Sequence, residues 1–189
     1  MKPADSLVNI VWVDEYPGDL NPLLARANDL LANSKLLNSG LERDGGTSSS
    51  SDPDAIHAWS ESSEFIKWIS HNINKVWDNW QLPPNPEFYF NSSWVNLHPP
   101  GAWTDWHSHK NVDLVVVLYL DQPENGGHLE ILNPLADLFG LQSGTSTVTI
   151  PVKTGTTLFF PGWLYHRSGI NNSNNSRVVA SFNLYVRWR

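Results

Sequence analysis

From residue 87 onward the chain is cut into short strand-like runs separated by Pro, Gly and Asn, and this texture limits the fold more than any other feature. The runs are EFYF, SWVNLH, DLVVVLYLD, GHLEIL, STVTI, TLFFP, LYHRSGI and RVVASFNLYV. A spacing of roughly ten residues between them leaves no room for crossover helices, so parallel βαβ units are excluded and a sandwich or barrel is expected. The expected fold is mainly β with flanking helices: a double-stranded β-helix of the jelly-roll, cupin-like kind. At 189 residues the chain is read as one domain (1–189) with a core of its own.

Residues 1–85 are expected to hold an N-terminal strand and supporting helices around a jelly-roll core at 86–189. LVNIVWV (7–13) reads as a strand, and 18–32 as a helix rich in Leu and Ala. Phe65, Ile66, Ile69, Ile73, Val76, Trp77 and Trp80 recur at helical spacing across 61–80, with Lys67, Ser70, Asn74 and Asp78 between them. Gln81-Leu82-Pro83-Pro84 stops that helix. His71 falls among its polar positions and is read as solvated. Between the helices, SKLLNSGLERDGGTSSSSDPD (34–54) is polar and Gly/Ser-rich with no periodicity, so 34–55 reads as a mobile loop or as a lid over substrate.

Composition removes several functional classes. A net charge of −7 with no basic stripe argues against nucleic acid as a partner. No apolar run approaches the ~18 residues of a membrane span, so no membrane partner is expected. MKPADSLVNIVWV lacks the pattern of a signal peptide. With no cysteine there are no disulfides and no thiolate ligands, which fits a cytoplasmic location. The helix tryptophans read as core packing. Trp94, Trp103, Trp106 and Trp163 stay open between packing and an aromatic-lined substrate groove.

Chemistry concentrates in His107-Ser108-His109, Tyr165-His166 and Arg177. Two imidazoles at i and i+2 of an extended segment project to one side, and a third brought in by the fold would complete a set of neutral nitrogen donors suited to a divalent transition metal. Asp105 shares the face of His107 and His109, so two ligand sets compete: His107, His109 and His166, or Asp105, His107 and His166. The start of the DLVVVLYLD strand shortly after His109 favours the first. His98, in NLHPP, reads as structural or as a rim residue. His128 alternates with Leu129 and reads as exposed, and His57 carries no signal. Arg177 opens the last strand, on one face with Val179, Ser181, Asn183 and Tyr185. The opposite face carries Val178, Ala180, Phe182 and Leu184, so one side suits a cavity and the other a core. Such a guanidinium can hold a carboxylate with two hydrogen bonds.

Over residues 94–186 these pieces resemble, in order and approximate spacing, the 2-oxoglutarate and iron(II)-dependent dioxygenases of the prolyl-4-hydroxylase-like branch. The matching pieces are the histidine motif, Leu118-Tyr119-Leu120-Asp121, Gly126-Gly127-His128-Leu129-Glu130-Ile131, Gly155-Thr156-Thr157-Leu158-Phe159-Phe160, His166 and Arg177. The chain looks especially like a group of small oxygenases of bacteria and phages. The resemblance implies iron(II), 2-oxoglutarate and O2 as cofactors. It implies hydroxylation of a C–H bond in a peptide side chain or small molecule, with succinate and CO2 formed. Carried over by position, His107 and His166 would bind iron. Arg177 and Tyr119 would hold the distal carboxylate of 2-oxoglutarate, Leu129 would line its pocket, and Ser181 and Asn183 would look into the site near the iron. The family normally has His-x-Asp; here His109 stands in place of the carboxylate, as in the small-oxygenase group. The site is then one negative charge short, which alters iron affinity and redox potential. Two other readings compete: a cupin-like three-histidine metalloprotein without 2-oxoglutarate chemistry, and a non-catalytic binding module.

Overall fold

Everything in the fold is arranged around the last strand. The computed structural model describes residues 10–33, 39–84, 86–134 and 147–187. In it β11 (Arg177–Arg187) pairs antiparallel with β4 (Glu87–His98) on one side and β6 (Leu114–Asp121) on the other. β9 (Thr156–Pro161) and β1 (Trp12–Glu15) follow beyond β6, and β3 (Thr47–Ser48) lies beyond β4, giving the order β1-β9-β6-β11-β4-β3.

Alternation gives this sheet two distinct faces. Leu114, Val116, Leu118, Ala180, Phe182 and Leu184 pack against α1 (Asn21–Asn33) and α2 (Ser63–Asn79), through stripes that include Leu23, Ala27, Phe65, Ile69 and Ile73. Val115, Val117, Tyr119, Leu158, Phe160 and Val179 face the other way. Burying each large apolar side chain contributes about 1.5–3 kcal/mol. A one-residue slip of β11 would exchange the two cores and drive Arg177 and Asn183 among the helices, so its register is strongly fixed.

The second face meets a smaller sheet in which β7 (Leu129–Leu132) lies between β10 (His166–Ser168) and β8 (Thr147–Ile150). A ribbon of β2 (Glu42–Arg43) and β5 (Trp103–Thr104) continues this layer. Thr104 N donates to Ser168 Oγ at 2.7 Å, and His107 and His166 form a β-bridge. Two facing antiparallel sheets with helices on one outer side are the double-stranded β-helix expected from the strand texture.

Some local expectations change. EFYF and SWVNLH are one strand, because Asn91 is absorbed as a bulge where Ser92 pairs with Asn183 and Phe90 with Leu184. The N-terminal strand is Trp12–Glu15, not 7–13; residues 1–9 lie outside the described residues. The helices run 21–33 and 63–79, the second preceded by short 3-10 turns at Ile56–Ala58 and Ser60–Ser62. The stretch read as a mobile loop or lid over 34–55 carries β2 and β3 in its described part, and residues 34–38 lie outside the described residues. Its serines bond the edge of β4: Ser49 N donates to Val95 O at 2.9 Å, and Val95 N donates to Ser49 Oγ at 3.0 Å. Glu42, Ser48 and Ser49 are buried. Hydroxyl-to-backbone bonds hold here what apolar periodicity does not, which is why the pattern reads as loop.

Candidate metal and cosubstrate site

His107 and His166 face each other across their bridge, exchanging two backbone hydrogen bonds of 2.9 Å. His109 is held by its own N–H, which donates to Gly162 O at 2.8 Å in the turn that leads to His166. Gly162 is required there, since a Cβ would run into the carbonyl of Val112. The three rings pack with centroids 4.4 to 5.2 Å apart, and one ligand atom from each lies within 4.8 Å of the others.

Each ring has its outer nitrogen engaged by an oxygen. His107 Nδ1 donates to Asp105 O at 2.7 Å, His166 Nδ1 to Leu164 O at 2.8 Å, and His109 Nδ1 to Asn183 Oδ1 at 2.6 Å. These bonds fix the tautomer that leaves every Nε2 as a lone-pair donor, the state a metal requires. His109 Nε2 is buried with no partner. Burial keeps all three rings neutral. It lowers His107, takes His109 down to about 4 with help from the His107 charge, and holds His166 well below the usual imidazole value. The donor set therefore fits a divalent transition metal.

Asp105 does not compete. Its Oδ2 accepts from Arg43 Nη2 at 2.9 Å and its Oδ1 from Trp106 N at 2.8 Å, so its carboxylate is turned to the β2–β5 side, and it is absent from the histidine cluster. Of the alternative sets, the structure brings together His107, His109 and His166.

The imidazoles open into a cavity of about 320 Å³. Tyr119, Leu129, Ser181 and Asn183, all expected near the site, line it, as do Trp94, Asn96 and His98. Burial raises the Tyr119 hydroxyl to about 12, so it remains a proton donor. Arg177 sits behind two lining residues, His98, which it hydrogen bonds, and Tyr119, whose ionisation its charge favours while burial opposes it more strongly. It is 0% exposed. Nε donates to His98 Nδ1 at 3.3 Å, and Nη1 donates to Gly126 O and, at 3.0 Å, to Gly169 O. Nη2 has no partner. The two-nitrogen fork expected of Arg177 is therefore not available; one nitrogen with two N–H groups is. Gly127, at φ +80°, makes the cradle possible, because a Cβ there would lie 2.8 Å from Arg177 Nη1.

Two roles escape a reading of the sequence. His98 is buried and held neutral by burial and by the Arg177 charge; it accepts from Arg177 and bonds Thr104 Oγ1 through Nε2 at 2.7 Å. Asn183 acts through His109, and its Nδ2 donates to Ser92 Oγ at 3.2 Å. Only the strand register reveals both. Among the open tryptophans, Trp94 stacks on His109 with centroids 5.7 Å apart, while Trp106 stacks between Tyr165 and the Arg167 guanidinium. Trp103 is partly buried on β5, and Trp163 is 60% exposed. His71 and His128 are exposed, as expected. His57 bonds Ser93 Oγ, away from the cavity lining.

Comparison with known proteins agrees with this geometry. Residues 92–183 match the family model described as "Putative 2OG-Fe(II) oxygenase". A prolyl-4-hydroxylase from Pseudomonas putida superposes with a TM-score of 0.65 at 16% identity, covering 97% of this chain and 96% of that one. The collagen prolyl hydroxylase of Paramecium Bursaria Chlorella virus-1, in its 2OG complex, gives 0.60 at 14% identity, covering 96% and 98%. HygX from Streptomyces hygroscopicus, with nickel and 2-oxoglutarate bound, gives 0.64 at 11% identity, covering 95% and 85%. No curated protein sequence matches the chain. A β-helix built around a histidine cluster, with a match to the 2OG-Fe(II) oxygenase model over that same segment, makes this chain similar to those oxygenases, with the fold of the prolyl-4-hydroxylase-like enzymes.

Proposed function

We propose that this chain hydroxylates a C–H bond of a peptide side chain or small molecule, using iron(II), 2-oxoglutarate and O2. His107, His109 and His166 would hold the metal. Arg177 Nη2 and the Tyr119 hydroxyl would hold the distal carboxylate of 2-oxoglutarate, with Leu129 and Ser181 along its path. When bound, the metal and cosubstrate supply oxidative decarboxylation to succinate and CO2 together with transfer of oxygen to substrate.

The protein's own residues do the rest. Asp105 O, Asn183 and Leu164 O orient the imidazoles. His98, Gly126 and Gly169 orient the guanidinium. Val117, Leu129 and Val179 keep water from the space between. Trp94 and the polar groups of Ser48, Ser50 and Asn91 lie further along the same cavity, where a primary substrate would approach.

One observation carries the reading: a buried cation with an unpartnered nitrogen stands behind the wall of a cavity into which three imidazoles open, the Nε2 of His109 buried and without a partner. A three-histidine metalloprotein without an oxo acid gives Arg177 nothing to bind. The test is succinate formation from 2-oxoglutarate by protein reconstituted with iron(II). Formation is expected to need both metal and O2. Protein that binds iron(II) yet neither binds nor consumes 2-oxoglutarate would overturn the proposal.

A further inference from the structure

On the inner face of β4, Ser92, Trp94, Asn96 and His98 stand opposite Asn183, Ser181, Val179 and Arg177 of β11. Three of the four have an evident task. Ser92 accepts from the Asn183 amide that orients His109, Trp94 stacks on the His109 ring, and His98 accepts from Arg177 Nε. Asn96 faces Val179, which offers it nothing polar. Among the described residues its carboxamide makes no hydrogen bond, although the residue is only 8% exposed and lines the cavity. A carboxamide that lines a cavity without a protein partner is free to bond whatever fills that cavity, and most buried side-chain polar groups in native proteins find such a partner in protein, water or ligand.

Its place says which ligand. One step along the same face, about 7 Å away, lies the His98–Arg177 pair, which on the function proposed above marks the end that takes a distal carboxylate. One step in the other direction, Trp94 lies against a candidate metal ligand. A molecule that spans Arg177 and the three imidazoles must pass Asn96. The flanking walls, Val117, Leu129 and Val179, provide no donor.

We propose that Asn96 is a cosubstrate-binding residue, its Nδ2 donating to a carboxylate oxygen of the 2-oxo acid; this rests on the function proposed above. A carboxylate can only accept, so replacing the amide by a carboxylate reverses the interaction while keeping the shape.

The test is calorimetric binding of N-oxalylglycine, an unreactive analogue of 2-oxoglutarate, to the protein loaded with manganese(II). Asn96→Ala should weaken binding about tenfold, the loss of one hydrogen bond to a charged group. Asn96→Asp should weaken it about a hundredfold or more, through like-charge repulsion in a buried site. Manganese(II) affinity should stay within about twofold of the wild type in both, since no bond links Asn96 to the imidazoles; a packing defect would lower metal and analogue affinity together and treat the two variants alike. Analogue binding within about twofold of wild type in both variants, or Asp no worse than Ala, would overturn the role of Asn96 alone. A wild-type protein that takes up manganese(II) and does not bind the analogue would overturn the proposed function, and this role with it.

Discussion

Replacing Arg177 by Met tests whether the buried cation exists to bind a ligand or to hold the fold. Its partners are all neutral: His98 Nδ1, Gly126 O and Gly169 O. Burying an ion without a counter-ion costs several kcal/mol. Three hydrogen bonds from a charged donor return about 1.5–3 kcal/mol each. The variant removes the desolvated charge but orphans three acceptors, at about 1–3 kcal/mol each. The two effects are of similar size, so unliganded stability should change by no more than about 3 kcal/mol. Ligand response is where the variant should differ. At a hundredfold excess over Kd, a ligand stabilises the native state by about 2.7 kcal/mol. For 189 residues, an unfolding entropy of about 2.1 cal/mol/K per residue makes that a rise of about 7 °C in Tm. Losing a buried charge-assisted contact weakens binding by about a hundredfold, which leaves about 0.4 kcal/mol, or about 1 °C. Thermal unfolding of the manganese(II) protein with and without a fixed concentration of 2-oxoglutarate reads both numbers. A folded Arg177→Met protein that keeps the full shift would refute the assignment.

Asn183→Ala leaves the His109 Nδ1–H without its acceptor and the ring free to turn, so manganese(II) affinity at neutral pH should fall about 10- to 100-fold. Equal affinity in a metal titration would show that Asn183 does not orient the ligand. The metal-free protein should lose stability on acidification. Above pH 6.5 His109 is neutral whether folded or unfolded, and between 6.5 and about 4 only the unfolded chain takes up its proton. That difference amounts to about 3 kcal/mol for His109 alone, all of it lost by pH 4. Urea unfolding of chelator-treated protein at pH 7 and pH 4.5 checks the sign, and a chain equally stable at both would contradict the burial argument.

The strand texture after residue 87 was legible because each run has a buried face, and alternation is what burial demands. The polar face of β11 could be read for the same reason: Val179, Ser181 and Asn183 line the cavity while Phe182 and Leu184 join the helices. The histidine cluster was legible through the i, i+2 spacing, and the start of the next strand favoured His109 over Asp105, but the reason Asp105 is turned away was not legible. That reason is Arg43, 62 residues upstream of Asp105 and inside a stretch whose composition reads as loop. The tasks of His98 and Asn183 depend on which residues face each other between β4 and β11. That pairing is shifted by the bulge at Asn91, and a bulge leaves little trace in one sequence.

The substitution of imidazole for carboxylate in the ligand set changes what the rest of the cavity must do. All three rings are kept neutral by burial, each backed by an uncharged oxygen, and the one nearby acid of the motif, Asp105, is spent on Arg43. A dication held there would keep its full charge, and the Arg177 cation behind His98 and Tyr119, whose hydrogen-bond acceptors are all neutral, would be a second positive pole. Two positive poles separated by the apolar walls of Val117, Leu129 and Val179 attract a ligand bearing one carboxylate at each end more strongly than a monoanion. A carboxylate among the ligands would offset one pole; its absence makes the site depend more on a dianionic cosubstrate. On the proposed function, the His-Ser-His motif and the buried, incompletely paired arginine would thus be two parts of one electrostatic arrangement.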